Sequence, residues 1–231
     1  MASKRFDADG ISVARLAIGA VEIDLVASIA PPHPLRDAIE RGGGIIGWTW
    51  GVDDASPIDD SAISLSLPIS ENAARSISFV NFVPGVWTGN IPIDTDLSTR
   101  CANLEQLCGA NENSVDYLEH IVVMTPSLED AIAAHEKIGL PCKRIREAGR
   151  GMRQAFFKLE QTVLEIVGPS PDAPHAWGLA FMCKDIRRAV DLARANGLQA
   201  TEPKVAIQGG KIARIVDPMD GVAVAYMEAA S

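Results

Sequence analysis

The sequence predicts an α+β fold whose second half is two βαβββ units laid head to tail. Three observations lead there. The order strand, helix, strand, strand, strand runs from about residue 117 and begins again near residue 177. Each expected helix is opened by a capping side chain, Ser127 or Asp185, and closed by a glycine, Gly139 or Gly197. The later strands are set off by turn residues, Gly149 and Gly151 in the first unit and Gly209 and Gly210 in the second. A supersecondary unit that recurs at a fixed length is the most informative organisational signal in this chain.

In the first unit, residues 118–124 are an apolar run interrupted only by Glu119 and His120, which reads as a buried strand. An ionisable pair inside such a strand must be hydrogen-bonded, face a cavity or bind something. Ser127 and Asp130 stand at nearly capping-box spacing, and Leu128, Ile132 and Ile138 recur at helical spacing. Strands are expected at 141–146, 153–159 and 162–167. After the linker PSPDAP the second unit gives a strand at 177–183, a helix at 186–196 and strands around 200–207, 211–216 and 222–227.

The first half is less regular. Residues 13–18 and 21–26 alternate as a hairpin or two adjacent strands, and a short helix is expected at 35–41 before the triple glycine Gly42-Gly43-Gly44. Residues 45–52 read as a strand with Trp48 and Trp50 on one side, and 62–67 and 77–83 as two more. A polar, acidic connector over about 90–114 marks the boundary between domains at 1–113 and 114–231.

Charge excludes some functions. Residues 1–114 hold 7 basic and 15 acidic side chains, and residues 115–231 hold 14 and 15, so neither half is a nucleic-acid footprint. No apolar run reaches the ~18 residues of a membrane span, and MASKRFDADG has no signal-peptide core, so no membrane partner is expected and the expected location is the cytoplasm. Cys101, Cys108, Cys142 and Cys183 form no CxxC pair and read as free thiols.

With LEHIVV, VLEIVGP, WGLAF and DPMDGVAVAYM at matching points, residues 115–228 resemble the vicinal oxygen chelate superfamily of glyoxalase, bleomycin-resistance and dioxygenase proteins. The resemblance implies paired βαβββ modules curled into half-open mixed β-barrels. Each module's first and last strands would supply metal ligands, usually His, Glu, His and Glu. Here His120 matches the first and Glu165 the second, whereas the other two positions fall on Gly178 and Ala225; His175 and Glu228 lie three residues away from them. The implied cofactor is a divalent metal (Fe, Mn, Zn, Ni or Co) on an incomplete set, His120 and Glu165, or otherwise none. By the same resemblance residues 1–113 are a degenerate N-terminal copy with its connector, in which Ile46-Gly47 replaces paired histidines and Asp24 a carboxylate. That half is expected to serve as a structural partner. The barrels would close within one chain or across a homodimer.

Two functions follow from these residues. One is a lyase, isomerase or oxygenase acting on a small oxygenated or aromatic metabolite in the C-terminal barrel, with His120 and Glu165 catalytic. Its substrate-binding residues would be Arg144, Arg146 and Arg153 as an anion-binding rim, with Phe157 and Trp177 as apolar walls. The other is a non-catalytic small-molecule-binding protein with a relic metal site, in which His120 and Glu165 are a buried pair and the arginines a solvated strand face. His135 is expected on the outer surface of its helix, and His33, in a proline loop, carries no visible chemistry.

Overall fold

The computed structural model describes residues 3–8, 11–18, 21–28, 44–45, 47–51, 76–80, 111–137, 140–159, 161–172, 174–207 and 209–230. The helix expected at 35–41, the strand expected at 62–67 and the connector up to residue 110 lie outside them, as do His33, Ile46, Cys101 and Cys108.

Two βαβββ modules follow one another in the second half. The first is β6 (Val115–Met124), α1 (Leu128–Lys137), β7 (Cys142–Gly149), β8 (Met152–Leu159) and β9 (Thr162–Gly168). The second is β10 (His175–Cys183), α2 (Ile186–Ala195), β11 (Lys204–Val205), β12 (Lys211–Arg214) and β13 (Ala223–Glu228). Their strands lie in one mixed sheet in the order β11-β12-β13-β10-β6-β9-β8-β7. β11 is much shorter than the span expected at 200–207. Pro203 has no N–H to donate to a ladder, and Ala200 makes only an isolated bridge to Ile215.

The first half contributes a meander, β1 (Ser3–Ala8), β2 (Ile11–Ile18) and β3 (Val21–Ser28), and a pair, β4 (Gly47–Gly51) with β5 (Ser76–Val80). β1 is not among the strands expected from the sequence, because SKRFDA has too few apolar residues to show a period. Its antiparallel register on β2, from Ser3↔Leu16 to Ala8↔Ile11, is what defines it. By contact the chain divides into two compact units. One joins Met1–Gly44 and Ser98–His120 to Gly178–Ser231, and the other joins Ile45–Leu97 to Ile121–Trp177. In the first unit Ile18 is buried in a cluster with Val115, Cys183 and Ala189, against which Ile23, Phe181 and Tyr226 pack.

The two helices cover their sheets differently. α2 buries Ile186, Ala189, Val190 and Ala193, a stripe at i, i+3, i+4 and i+7, with Ile186 and Val190 against Ala213 and Tyr226. α1 buries only Leu128, and it packs on β8 and β9, where Ala155, Phe157, Leu164 and Ile166 are all 1% exposed or less. Among the described residues no helix is long and apolar enough to cross a membrane.

The start of α2 is tied down by side chains from three elements. The Asp185 carboxylate accepts the Arg188 N–H at 3.1 Å as an N-cap, and Glu228 at the end of β13 accepts the Ile186 N–H at 2.9 Å. Lys211 donates to Glu228 at 2.5 Å, and Ser114 bridges the backbone of Asp185 through its hydroxyl. The Ile186 amide, with help from Lys211, holds the Glu228 carboxyl below its usual range of 4.5. A lowered folded value means that Glu228 stabilises the fold above pH 4.5 and loses that effect as pH falls through the lowered value. Glu228→Gln is therefore expected to cost about 1 kcal/mol near neutral pH, with the gap to wild type closing in acid. Urea denaturation of both proteins near pH 7 and pH 3 checks it, and a gap that persists unchanged in acid contradicts the assignment.

Candidate functional site

Strand register in the first module sorts its side chains onto two faces. β8 and β9 pair antiparallel with Ala155↔Ile166 and Phe157↔Leu164, and these four side chains form the face under α1. Residues between them point the other way. That face carries Gln154 and Phe156 on β8, Glu165 on β9 opposite Phe156, and Arg144 and Arg146 on β7 opposite Phe156 and Gln154.

On this face a hydrogen-bonded chain crosses three strands. Arg146 Nε donates to Gln154 Oε1 at 2.9 Å, and Gln154 Nε2 donates to Glu165 Oε1 at 2.5 Å. The Arg146 guanidinium also sits over the Phe156 ring, 5.6 Å from its centroid, within cation–π range. Glu165 is half-buried. Loss of water pushes its carboxyl above the usual 4.5, and the positive charge of Arg146 partly opposes that rise.

The structure thus brings Glu165, Arg144 and Arg146 together on one face and leaves three other expected residues off it. Arg153 pairs with Glu129 of α1, so it belongs to the helix side. Phe157 is fully buried and its ring lies 4.9 Å from that of His135. Trp177 is 51% exposed and falls in the row of Phe181 and Cys183, the row that packs towards α2. Gln154 was missed, although it lies two residues before Phe156 on the same face. The hairpin turn at Gly149 and Gly151 sets it opposite Arg146.

His120 sits in β6, which neighbours β9 in the sheet. It is 7% exposed, and its Nδ1 contacts the carboxylate of Glu119. His135, expected on the surface, is half-buried: the large Phe157 ring fills the space beneath α1 and the imidazole rests on it. Burial lowers its pKa, against a contact of Nδ1 with the Ala131 carbonyl at 2.7 Å. Burial pushes the Cys183 thiol up to about 12, which leaves it unreactive.

The donor set does not fit a four-ligand metal centre. In the second module β10 and β13 run parallel with Gly178↔Ala223 and Ala180↔Ala225, so both positions marked by the resemblance lie among small apolar residues. A Cβ at 178 would lie 2.6 Å from the Ala223 carbonyl oxygen and 3.0 Å from its Cβ, so no liganding side chain fits there without parting the strands. Glu228 is engaged at the start of α2. Among the described residues no group of three or more His, Cys, Asp or Glu converges to hold a metal ion.

In each module the last strand lies beside the first, β9 by β6 and β13 by β10, the arrangement that the sequence resemblance implies. The fold is a pair of βαβββ modules sharing one mixed sheet. Within that fold, the chain is similar to methylmalonyl-CoA epimerase from Mycobacterium tuberculosis at 17% identity and a TM-score of 0.46, over 54% of this chain and 95% of that one. It is similar to a Streptomyces coelicolor methylmalonyl-CoA epimerase in complex with 2-nitronate-propionyl-CoA at 18% identity and a TM-score of 0.44, over 51% and 97%. A hypothetical protein from Bacillus halodurans stands at 19% and 0.42, over 49% and 94%. No protein-family model and no curated protein matches the chain.

The close approach at Gly178 has a direct test. Gly178→Ala is expected to destabilise the fold by about 1–3 kcal/mol, because the new methyl meets backbone rather than a flexible side chain. Thermal unfolding measures it. A loss below about 0.5 kcal/mol, the range of an innocuous surface change, would mean that the strands part easily and that a ligand could stand at 178.

Proposed function

We propose that the second half of the chain handles a small oxygenated or aromatic metabolite by proton transfer, as a lyase or isomerase does, with Glu165 as the acid–base group. The observation that carries this reading is the half-buried Glu165 carboxyl, bonded to Gln154 on the face turned away from α1. A carboxyl raised above its ordinary value moves towards the operating pH, where a group both takes and returns protons well. In the step proposed, Glu165 takes a proton from carbon next to a carbonyl, the C–H electron pair passes into the carbonyl to give an enolate, and Glu165 returns the proton to carbon. Arg144 and Arg146 supply positive charge for a substrate carboxylate or the developing enolate. An oxygenase step would need a donor set that the four marked positions do not supply.

The second reading, a binding protein that does no chemistry, is favoured by the closure at Gly178. Deuterium wash-in from D2O separates the two. Wild-type protein is incubated with pyruvate, phenylpyruvate and 2-oxoglutarate and the carbon next to the carbonyl is followed by proton NMR. Enzyme-dependent wash-in is expected, reduced about 10²–10⁴-fold in Glu165→Gln. Undiminished exchange in that variant removes Glu165 from its role, and saturable binding with no exchange by wild type selects the binding reading.

Stability gives a second, substrate-free check. A raised folded value means that the protonated carboxyl favours folding, an effect present below pH 4.5 and lost as pH rises through the folded value. Glu165→Gln does not titrate. Its melting temperature is expected to gain on wild type between about pH 4 and pH 7, and a difference that stays constant across that range contradicts the burial of the charge.

A further inference from the structure

We propose that Gln154 is a positioning residue: gripped by Arg146, it presents an N–H to Glu165 and fixes which oxygen of that carboxyl carries the proton. The proposal deepens the proton-transfer reading above and rests on it for its functional part. A glutamine amide has a donor end and an acceptor end, so an isolated one can donate to an ionised carboxylate or, rotated about its last bond, accept from a protonated carboxyl. Here the choice is forced. The guanidinium of Arg146 only donates, so the Gln154 Oε1 that lies 2.9 Å from Arg146 Nε must be the acceptor. The Nε2 end is then turned towards Glu165 Oε1 at 2.5 Å.

This orientation has a chemical consequence. Oε1 of Glu165 is an acceptor in both protonation states, so the proton that the group takes up and gives back sits on Oε2. A second consequence concerns Arg146. Its Nε is spent on Gln154 and its guanidinium lies over Phe156, which leaves the planar group held by two contacts on the face that carries Glu165. The register confirms that the arrangement is built from the backbone upward: Arg146↔Gln154 and Phe156↔Glu165 are directly opposed cross-strand pairs.

The experiment reads the carboxyl itself. The side-chain carboxyl carbon of Glu165 is followed by 13C NMR in wild type, Gln154→Leu, Gln154→Glu and Arg146→Lys, with Glu165→Gln to assign the signal. Gln154→Leu keeps volume and removes both bonds; Gln154→Glu keeps the acceptor for Arg146 and puts an oxygen where Glu165 needs a donor. The Glu165 signal is expected to move in both Gln154 variants, and to a lesser degree in Arg146→Lys, which loses the fixed Nε donor. Deuterium wash-in into phenylpyruvate is expected to fall about 10–100-fold in kcat for Gln154→Leu, with KM within about twofold. A Glu165 signal that does not move in folded Gln154→Leu overturns the proposal. So does a signal that moves while kcat stays at the wild-type value. Exchange that survives Glu165→Gln would instead remove the proton-transfer reading and leave the Gln154–Glu165 contact, seen in the carboxyl signal, standing as structure alone.

Discussion

Burial of Phe157, Ala155, Leu164 and Ile166 under α1 fixes the register of β8 on β9, and everything proposed for the first module depends on that register. A slip of one residue would carry Phe157 to the other face and Glu165 beneath the helix, exchanging an aromatic ring in the core for a carboxylate there. The apolar pairs therefore do two things. They supply the driving force of burial, and they aim the polar set Arg144, Arg146, Gln154 and Glu165 at the opposite face. Because β7 joins β8 through a tight turn, the same register brings the arginines of β7 opposite Gln154 and Phe156.

The second module shows what the same topology does without a polar set. β10 and β13 approach so closely that Gly178 has no room for a Cβ, and their paired positions hold Gly178, Ala180, Ala223 and Ala225. The side chains that fill out this module lie instead on the helix face, where Tyr226 and Ala213 pack with Ile186 and Val190. Its polar investment is at the start of α2, where Asp185, Ser114, Glu228 and Lys211 satisfy the orphan amides and each other. The two modules are alike in backbone and unlike in side chains: one presents an ionisable face, the other a tightly closed pair of strands with a well-anchored helix.

Much of this was legible in the chain. The order of elements in residues 115–228, the Asp185 cap and the pairing of Arg144 with Arg146 on one face all follow from period-two and helical spacing read directly on the residues. Three side chains stand off the face that carries Glu165. Arg153 is expected beside Arg144 and Arg146 by its charge, and Phe157 and Trp177 as apolar walls by their rings; alternation separates Arg153 and Phe157 from Gln154 and Phe156, and Trp177 falls in the row of Phe181 and Cys183. His135 is expected on the surface because it is polar and has Lys137 nearby, but seven residues after Leu128 it falls on the same helix face, and the Phe157 ring beneath α1 leaves the imidazole half-buried. β1 was invisible because a ladder to β2, not an apolar period, defines it.

By itself the sequence determined the local grammar: which runs are strands, where helices begin and end, and which ionisable residues interrupt apolar stretches, since each of these is set by neighbours a few residues away. Only the tertiary structure decided which of the two alternating rows lies under α1, that Gln154 joins Arg146 to Glu165, and that Gly178 is closed by Ala223. Those facts are set by cross-strand register and by the distance between backbones far apart in the chain, and no spacing along a single strand encodes them.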